Sequence, residues 1–147
     1  MISCISPLMI TKIKASMFYV KYLARADLLE VITKMSELKF IGPTYTSFNR
    51  PSPFVCCLYR LIDLGPSEDT IAPLAEQNYF LEMKLIALMY LRGAFPATFK
   101  SFYDEASRNY SPLYYIDGTK EEKLAFDICL KMIFDGSFCT FSFPLLK

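Results

Sequence analysis

Histidine is absent from this sequence of 147 residues, and its absence excludes a large group of catalytic and metal-binding sites. Without an imidazole, the chain can build neither a Ser-His nor a Cys-His nucleophile, and no histidine can bind a metal ion. The five cysteines include no Cys-x-x-Cys pair, so zinc-finger spacing is absent as well. Because a free cysteine usually behaves as a small apolar residue, we predict that Cys56, Cys57 and Cys129 lie in the core.

Glycine is also scarce, and the five glycines stand far apart. The sequence therefore contains no Gly-x-Gly-x-x-Gly motif, no phosphate-binding Gly-Lys-Ser/Thr loop and no EF-hand loop. Paired carboxylates do occur at Glu68-Asp69, Asp104-Glu105 and Glu121-Glu122, at positions that favour helix starts or solvated faces. We predict that the protein is not an enzyme and has no catalytic residue, no cofactor and no metal.

A strong net charge and long apolar runs are lacking too. The net charge is +1, which gives no general attraction to nucleic acid or to a membrane. The richest apolar run, Leu85 to Leu91, is far shorter than the roughly 18 residues of a membrane span. Pro7, Lys12 and Lys14 interrupt the core that a signal peptide would need. We expect a soluble, intracellular protein with no membrane partner.

The residues that are present can form one hydrophobic core, since 53% are hydrophobic and 21% are charged. Helix-start signals occur at Ser6-Pro7, at Asp27 with Glu30, at Ser52-Pro53 and at Thr119 with Glu122. The predicted helices cover residues 6–25, 27–40, 53–64, 67–77, 79–92, a stretch from 95 onward, and 119–134. We predict an all-α fold over residues 1–147: a single compact multi-helix domain with a little irregular or short β-hairpin structure.

A small basic feature lies on the first predicted helix. The first 26 residues contain no acidic residue, and Lys14, Lys21 and Arg25 fall close to one line at 100° per residue. Phe18 lies beside that line. Such a stripe is either an ordinary solvated face or an RNA-binding surface, in which the cations hold phosphates and the ring stacks on a base.

The most informative segment is Phe40 to Phe54. Pro43, Pro51 and Pro53 restrict its backbone, which indicates an ordered loop that leads into the next helix. Its aromatic side chains either attach the loop to the core or are offered to a partner.

This segment resembles the signature of the pre-mRNA-splicing factor 38 family. In that family a Glu-Leu-Arg-Phe-Val-Gly-Gly helix end leads through a Tyr-containing, glycine-rich loop to Lys-Pro-Thr-Pro-Phe-Leu-Cys. The corresponding stretches here are Glu37 to Gly42, Tyr45, and Arg50 to Cys56. The resemblance extends along the chain, in order, to Lys21-Tyr22-Leu23, to Phe80, Lys84, Tyr90 and Arg92, and to Cys139 with Pro144-Leu145-Leu146.

Two departures from the family pattern accompany these matches. Pro43, Thr46 and Ser47 replace three glycines of the family's loop, which predicts a stiffer or differently turned loop. The charged C-terminal tail of many members has no counterpart, so we expect a divergent, minimal member.

The resemblance implies a nuclear, non-enzymatic scaffold of the spliceosome that associates with the tri-snRNP and is required for splicing at the activation stage. It also implies protein partners, namely a microfibrillar-associated protein 1 homologue and a zinc-finger splicing factor. Contact with snRNA would be weak or indirect, and the chain would be a monomer within a large complex.

The aromatic content gives this resemblance a physical counterpart. The 13 Phe and 10 Tyr exceed what a core of this size readily encloses, so some of them should be exposed to a partner. The candidate protein-binding residues are Tyr45, Phe48, Arg50, Arg92, Tyr114 and Tyr115. The alternative is an RNA-binding module that uses Lys14, Phe18, Lys21 and Arg25.

Overall fold

A computed structural model of the protein describes residues 2–146. The helices are α1 (Pro7–Ala15), α2 (Leu28–Ser36), α3 (Pro53–Leu64), α4 (Glu68–Glu76), α5 (Leu81–Ala94), α6 (Pro96–Ala106) and α7 (Phe126–Asp135), with a 3-10 turn at Ile2–Cys4 and a π-helical turn at Tyr19–Leu23. Three antiparallel pairs join β1 (Thr44–Tyr45) to β2 (Arg50–Pro51), β3 (Pro112–Asp117) to β4 (Lys120–Ala125), and β5 (Ser137–Phe138) to β6 (Phe141–Ser142). The predicted all-α class with small hairpins is confirmed.

Helix α5 is the centre of the fold. Every residue from Met83 to Arg92 is buried, and the helix packs against α2, α3, α4, α6 and α7. A helix that is apolar on all sides is stable only when it is surrounded by other elements. The prediction of a central helix in this region is correct.

The β3–β4 hairpin contradicts one prediction. Thr119 lies in the turn and residues 120–122 begin β4, so they form no capping box, and α7 begins only at Phe126. Gly118 adopts a left-handed conformation with φ +64°, which closes a tight turn between Asp117 and Lys120. The six residue pairs between β3 and β4 stabilise the hairpin more than the capping pattern would stabilise a helix start, because β4 follows β3 directly after the turn.

The first predicted helix is divided in two. Helix α1 ends at Ala15, and Ser16 is extended with ψ 146°. The Ser16 hydroxyl donates to the Ile13 carbonyl (2.7 Å) and accepts from the Tyr19 amide (3.4 Å), so it ends one helical segment and begins the next. The second helix also ends earlier than predicted, at Ser36.

Candidate functional site

The predicted ordered loop is a short hairpin attached to the start of α3. Thr44 pairs with Pro51 and Tyr45 pairs with Arg50, so the tip of the loop is Thr46 to Asn49. Ser52 is fully buried beneath it. Its hydroxyl donates to the Gly42 carbonyl (2.5 Å) and accepts from the Val55 amide (3.1 Å), and these bonds join the loop to the helix N-terminus.

The other side of the loop is bound to the β3–β4 hairpin. Ile41 donates to the Tyr114 carbonyl (2.8 Å) and accepts from the Ile116 amide (2.9 Å). Gly42 lies so close to this strand that a Cβ atom would be 1.9 Å from the Ile116 carbonyl oxygen. Only glycine fits at this position, which also has φ +132°.

Thr46 shows how the loop accommodates the loss of a family glycine. It adopts φ +69°, a region that glycine enters freely and that a β-branched residue enters only with strain. Asn49, at the other end of the tip, also has a positive φ, of 52°. The loop therefore retains a turn of the glycine type without the glycine.

A groove of about 680 Å³ separates this loop from the N-terminal segment. Its walls are formed by Lys12, Ala15, Ser16, Met17, Val20, Tyr45, Phe48, Asn49, Arg50 and Pro51. Met17 is 76% exposed and Phe48 is 79% exposed, and Val20 is exposed as well. Large apolar side chains left open to water around a concavity indicate a binding surface.

The electrostatics of the groove are one-sided. Lys12 and Arg50 are its charged residues, and no carboxylate is among the described residues that line it. The Arg50 guanidinium lies 5.7 Å from the centre of the Phe48 ring, within the range of a cation–π contact. The groove therefore suits a ligand with an apolar face and negative charges.

The structure brings three of the predicted protein-binding residues together, since Tyr45, Phe48 and Arg50 all line this groove. Sequence reasoning missed Lys12, Met17 and Val20 on the opposite wall. The available sequence signal was the run of four apolar residues at 17–20. The structure buries only Tyr19 of this run and half-buries Phe18.

Tyr114 and Tyr115 lie on the β3–β4 hairpin, outside the groove. Tyr114 is exposed beneath the Lys123 ammonium, which is 5.4 Å from its ring centre. Tyr115 is half-buried, and burial, with a smaller contribution from Cys139, raises its pKa to about 12. The first tyrosine is accessible to a partner, and the second mainly joins the hairpin to the core.

Arg92 lies in the interior with 1% of its surface exposed, so it is not on a surface that a partner could contact. Its Nη2 donates to the Phe134 carbonyl (3.4 Å), and its guanidinium lies 5.6 Å from the Phe143 ring centre. Nε and Nη1 are buried without a hydrogen-bond partner among the described residues. Burial lowers the pKa of this guanidinium.

The predicted RNA-binding stripe is not a single line of residues. Lys14, Lys21 and Arg25 are exposed, but the break at Ser16 and the π-helical turn separate Lys14 from the other two. Phe18 is half-buried against Tyr22, with ring centres 5.3 Å apart. The helical spacing that aligned these residues therefore does not apply across Ser16.

The described residues contain no group of three acidic or cysteine side chains that could hold a metal ion. All five thiols are buried, including those of Cys4 and Cys139. Burial raises the pKa of Cys56 to about 11 and that of Cys129 to about 12. Within residues 2–146, no helix has the length and apolar character of a membrane span.

Comparison with known proteins gives consistent matches. The chain is 32% identical to pre-mRNA-splicing factor 38A of Danio rerio and 29% identical to that of Mus musculus, each over 62 residues, which are 42% of this chain and 20% of the relative. The aligned stretch thus spans about a fifth of the length of these relatives.

The fold has a close counterpart among solved structures. A chain in the crystal structure of the Snu23–Prp38–MFAP1(217–258) complex of Chaetomium thermophilum superposes with a TM-score of 0.89 at 15% identity. The match covers 99% of this chain and 78% of that one, and at this identity it bears on the fold alone. Residues 2–139 of the sequence match the PRP38 family. The chain belongs to the PRP38 family.

Proposed function

We propose that this chain is a non-enzymatic scaffold of the pre-mRNA splicing machinery that binds partner proteins through the groove beside the Phe40 to Phe54 loop. Membership of the PRP38 family and the names of the relatives support a role in splicing. The observation that carries the proposal is the exposed apolar wall of Met17, Val20 and Phe48 next to Lys12 and Arg50.

The geometry favours a helical segment as the ligand. The groove is open, lies between two segments and exposes the apolar side chains of Met17, Val20 and Phe48, an arrangement that can accept the apolar face of an amphipathic helix. Lys12 and Arg50 would pair with acidic residues on the flank of that helix. The structural neighbour contains Snu23 and an MFAP1 fragment, and we propose homologues of these proteins as partners.

The finer features of the role are also proposals. We place the protein in the nucleus, as a monomer within the tri-snRNP at the activation stage, with a zinc-finger splicing factor as a further partner. Tyr114 is a second exposed anchor on the β3–β4 hairpin. The location, the assembly, the stage and the zinc-finger partner rest on the family resemblance, whereas Tyr114 is proposed because it is exposed.

The test measures binding of the full chain to a labelled MFAP1(217–258) fragment by fluorescence anisotropy. Burying a phenylalanine contributes about 1.5–3 kcal/mol, so Phe48→Ala should weaken binding by roughly tenfold to a hundredfold. Arg50→Glu should weaken it further and remove part of its salt dependence. Leu29→Ala is the matched control, because Leu29 is similarly exposed, at 72%, on α2 and does not line the groove.

Two outcomes would refute the proposal. In one, the groove variants bind the fragment as tightly as Leu29→Ala does. In the other, the full chain binds a labelled single-stranded RNA at physiological salt and loses that binding when Lys14, Lys21 and Arg25 are reversed in charge, which would favour the RNA-binding alternative.

A further inference from the structure

One side of the groove needs support beyond its own strand pair. The residues that line this side, which we call the loop wall, are Tyr45, Phe48, Asn49, Arg50 and Pro51. The β1–β2 ladder beneath them consists of two residue pairs, and a two-stranded hairpin is only marginally stable by itself in water. The position of the loop wall therefore depends on contacts with other parts of the fold.

The turn of the β3–β4 hairpin provides such contacts through Thr44. The Thr44 hydroxyl donates to Oδ1 of Asp117 (3.2 Å) and accepts from the Gly118 amide (3.0 Å). The same amide also donates to the Thr44 carbonyl (3.3 Å). One threonine is thus bonded to a turn that lies 73 and 74 residues further along the chain. We call these three hydrogen bonds the Thr44 clasp.

A second contact joins the same turn to the tip of the loop. Gly118 lies against Asn49, and a Cβ atom on Gly118 would be 2.8 Å from Oδ1 of Asn49. Asn49 is itself part of the loop wall. The lack of a side chain at position 118 therefore lets the hairpin turn approach the wall closely.

Thr44 does not line the groove, although it lies directly beside residues that do. It precedes Tyr45 in the chain and is paired with Pro51 in the ladder, and both of these residues belong to the loop wall. Thr44 is half-buried, and its hydroxyl is bonded to the hairpin. A change at Thr44 can therefore move the wall without removing an atom that a ligand in the groove would contact.

We propose that Thr44 is a positioning residue of the groove, and that the β3–β4 turn fixes the loop wall through the Thr44 clasp in the conformation that binds the partner helix. This inference rests on the proposed function, because it concerns the same groove and the same ligand. When only a fraction of the molecules holds the binding conformation, the apparent affinity is reduced by that fraction. The hairpin turn thus sets the affinity of the groove from outside it.

The test compares Thr44→Val with Thr44→Ser in the full chain. Valine keeps the branched shape and the strand preference of threonine but has no hydroxyl, whereas serine keeps the hydroxyl. Thr44→Val should weaken binding of the labelled MFAP1(217–258) fragment by about threefold to tenfold, and Thr44→Ser by less than about twofold. Thr33→Val is the control, because the exposed Thr33 hydroxyl donates to the Leu29 carbonyl on α2 (3.0 Å) and Thr33 does not line the groove.

A measurement without ligand separates positioning from general stability. In Thr44→Val, hydrogen exchange followed by mass spectrometry should be about threefold to tenfold faster in residues 44–51 and unchanged in α3 and α5. The melting temperature should fall by no more than about 4 °C. The salt dependence of fragment binding should also be unchanged, because Lys12 and Arg50 remain in the groove.

Two results would overturn this inference. In one, Thr44→Val matches Thr44→Ser in affinity and in the exchange of residues 44–51. In the other, exchange also becomes faster in α3 and α5, which would mean that Thr44 supports the fold as a whole. If Thr44→Val does not fold, Asp117→Ala takes its place, because it removes only the acceptor of the Thr44 hydroxyl, and Asp117→Asn, which retains an acceptor, becomes its control.

Failure of the proposed function would give a different pattern. Phe48→Ala would then leave the affinity for the MFAP1 fragment unchanged. Exchange of residues 44–51 in Thr44→Val needs no ligand, so it would still report whether the Thr44 clasp fixes the loop wall.

Discussion

Replacement of Ser52 by alanine tests whether the Phe40 to Phe54 loop depends on one buried hydroxyl. The hydroxyl caps α3 by accepting from the Val55 amide, and it donates to the Gly42 carbonyl in the interior. Loss of an N-cap costs about 1 kcal/mol, and a buried carbonyl left without its donor costs about 1–3 kcal/mol more. We therefore expect Ser52→Ala to lower the free energy of unfolding by about 2–4 kcal/mol.

Ser6→Ala is the matched comparison for this experiment. Ser6 also precedes a proline and caps its helix through the Met9 amide (3.2 Å), but it is exposed and donates to no buried carbonyl among residues 2–146. Its replacement should lower the free energy of unfolding by only about 1 kcal/mol. Urea denaturation measures both losses, with an unchanged m-value as evidence that the unfolding transition remains two-state. Equal losses in the two variants would refute the assignment of extra stability to the buried hydroxyl.

Three further predictions concern the interior. Gly42→Ala should unfold the protein or lower the free energy of unfolding by at least about 3 kcal/mol, because the new Cβ would collide with the Ile116 carbonyl. Urea denaturation measures this loss, and a value below about 1 kcal/mol would contradict the prediction. The raised thiol pKa values of Cys56 (about 11) and Cys129 (about 12) mean that the unfolded chain releases these protons first, near the usual 9.0. The melting temperature should therefore be constant with respect to the thiols below pH 9 and fall as the pH rises from 9 to about 12, and a flat profile would contradict this. Arg92→Met should leave the free energy of unfolding unchanged or raise it by about 1 kcal/mol, because it removes two buried donors that have no partner among the described residues. Urea denaturation measures the change, and a large loss of stability would contradict this reasoning.

The sequence by itself determined most helix starts and the position of the central helix. Ser52-Pro53 predicted the start of α3 correctly, because a serine cap and a proline at the first position act within one turn of chain. The apolar run within α5 likewise predicted burial on all sides. Local signals of this kind need no information from distant residues.

Where local signals compete with long-range contacts, only the tertiary structure decided the outcome. The capping pattern at Thr119 yields to strand pairing because the pairing partner lies across the turn at Gly118. The Lys14 to Arg25 line is broken because the Ser16 hydroxyl bonds to the backbone on both sides of it.

The candidate sites show the same division. The sequence indicated Tyr45, Phe48 and Arg50, but only packing decided that Met17 and Val20 face them and that Arg92 is buried. Residue type predicts what a side chain can do, whereas a concavity is formed by elements distant in the chain. Its shape and charge therefore depend on long-range contacts that no single stretch of sequence contains.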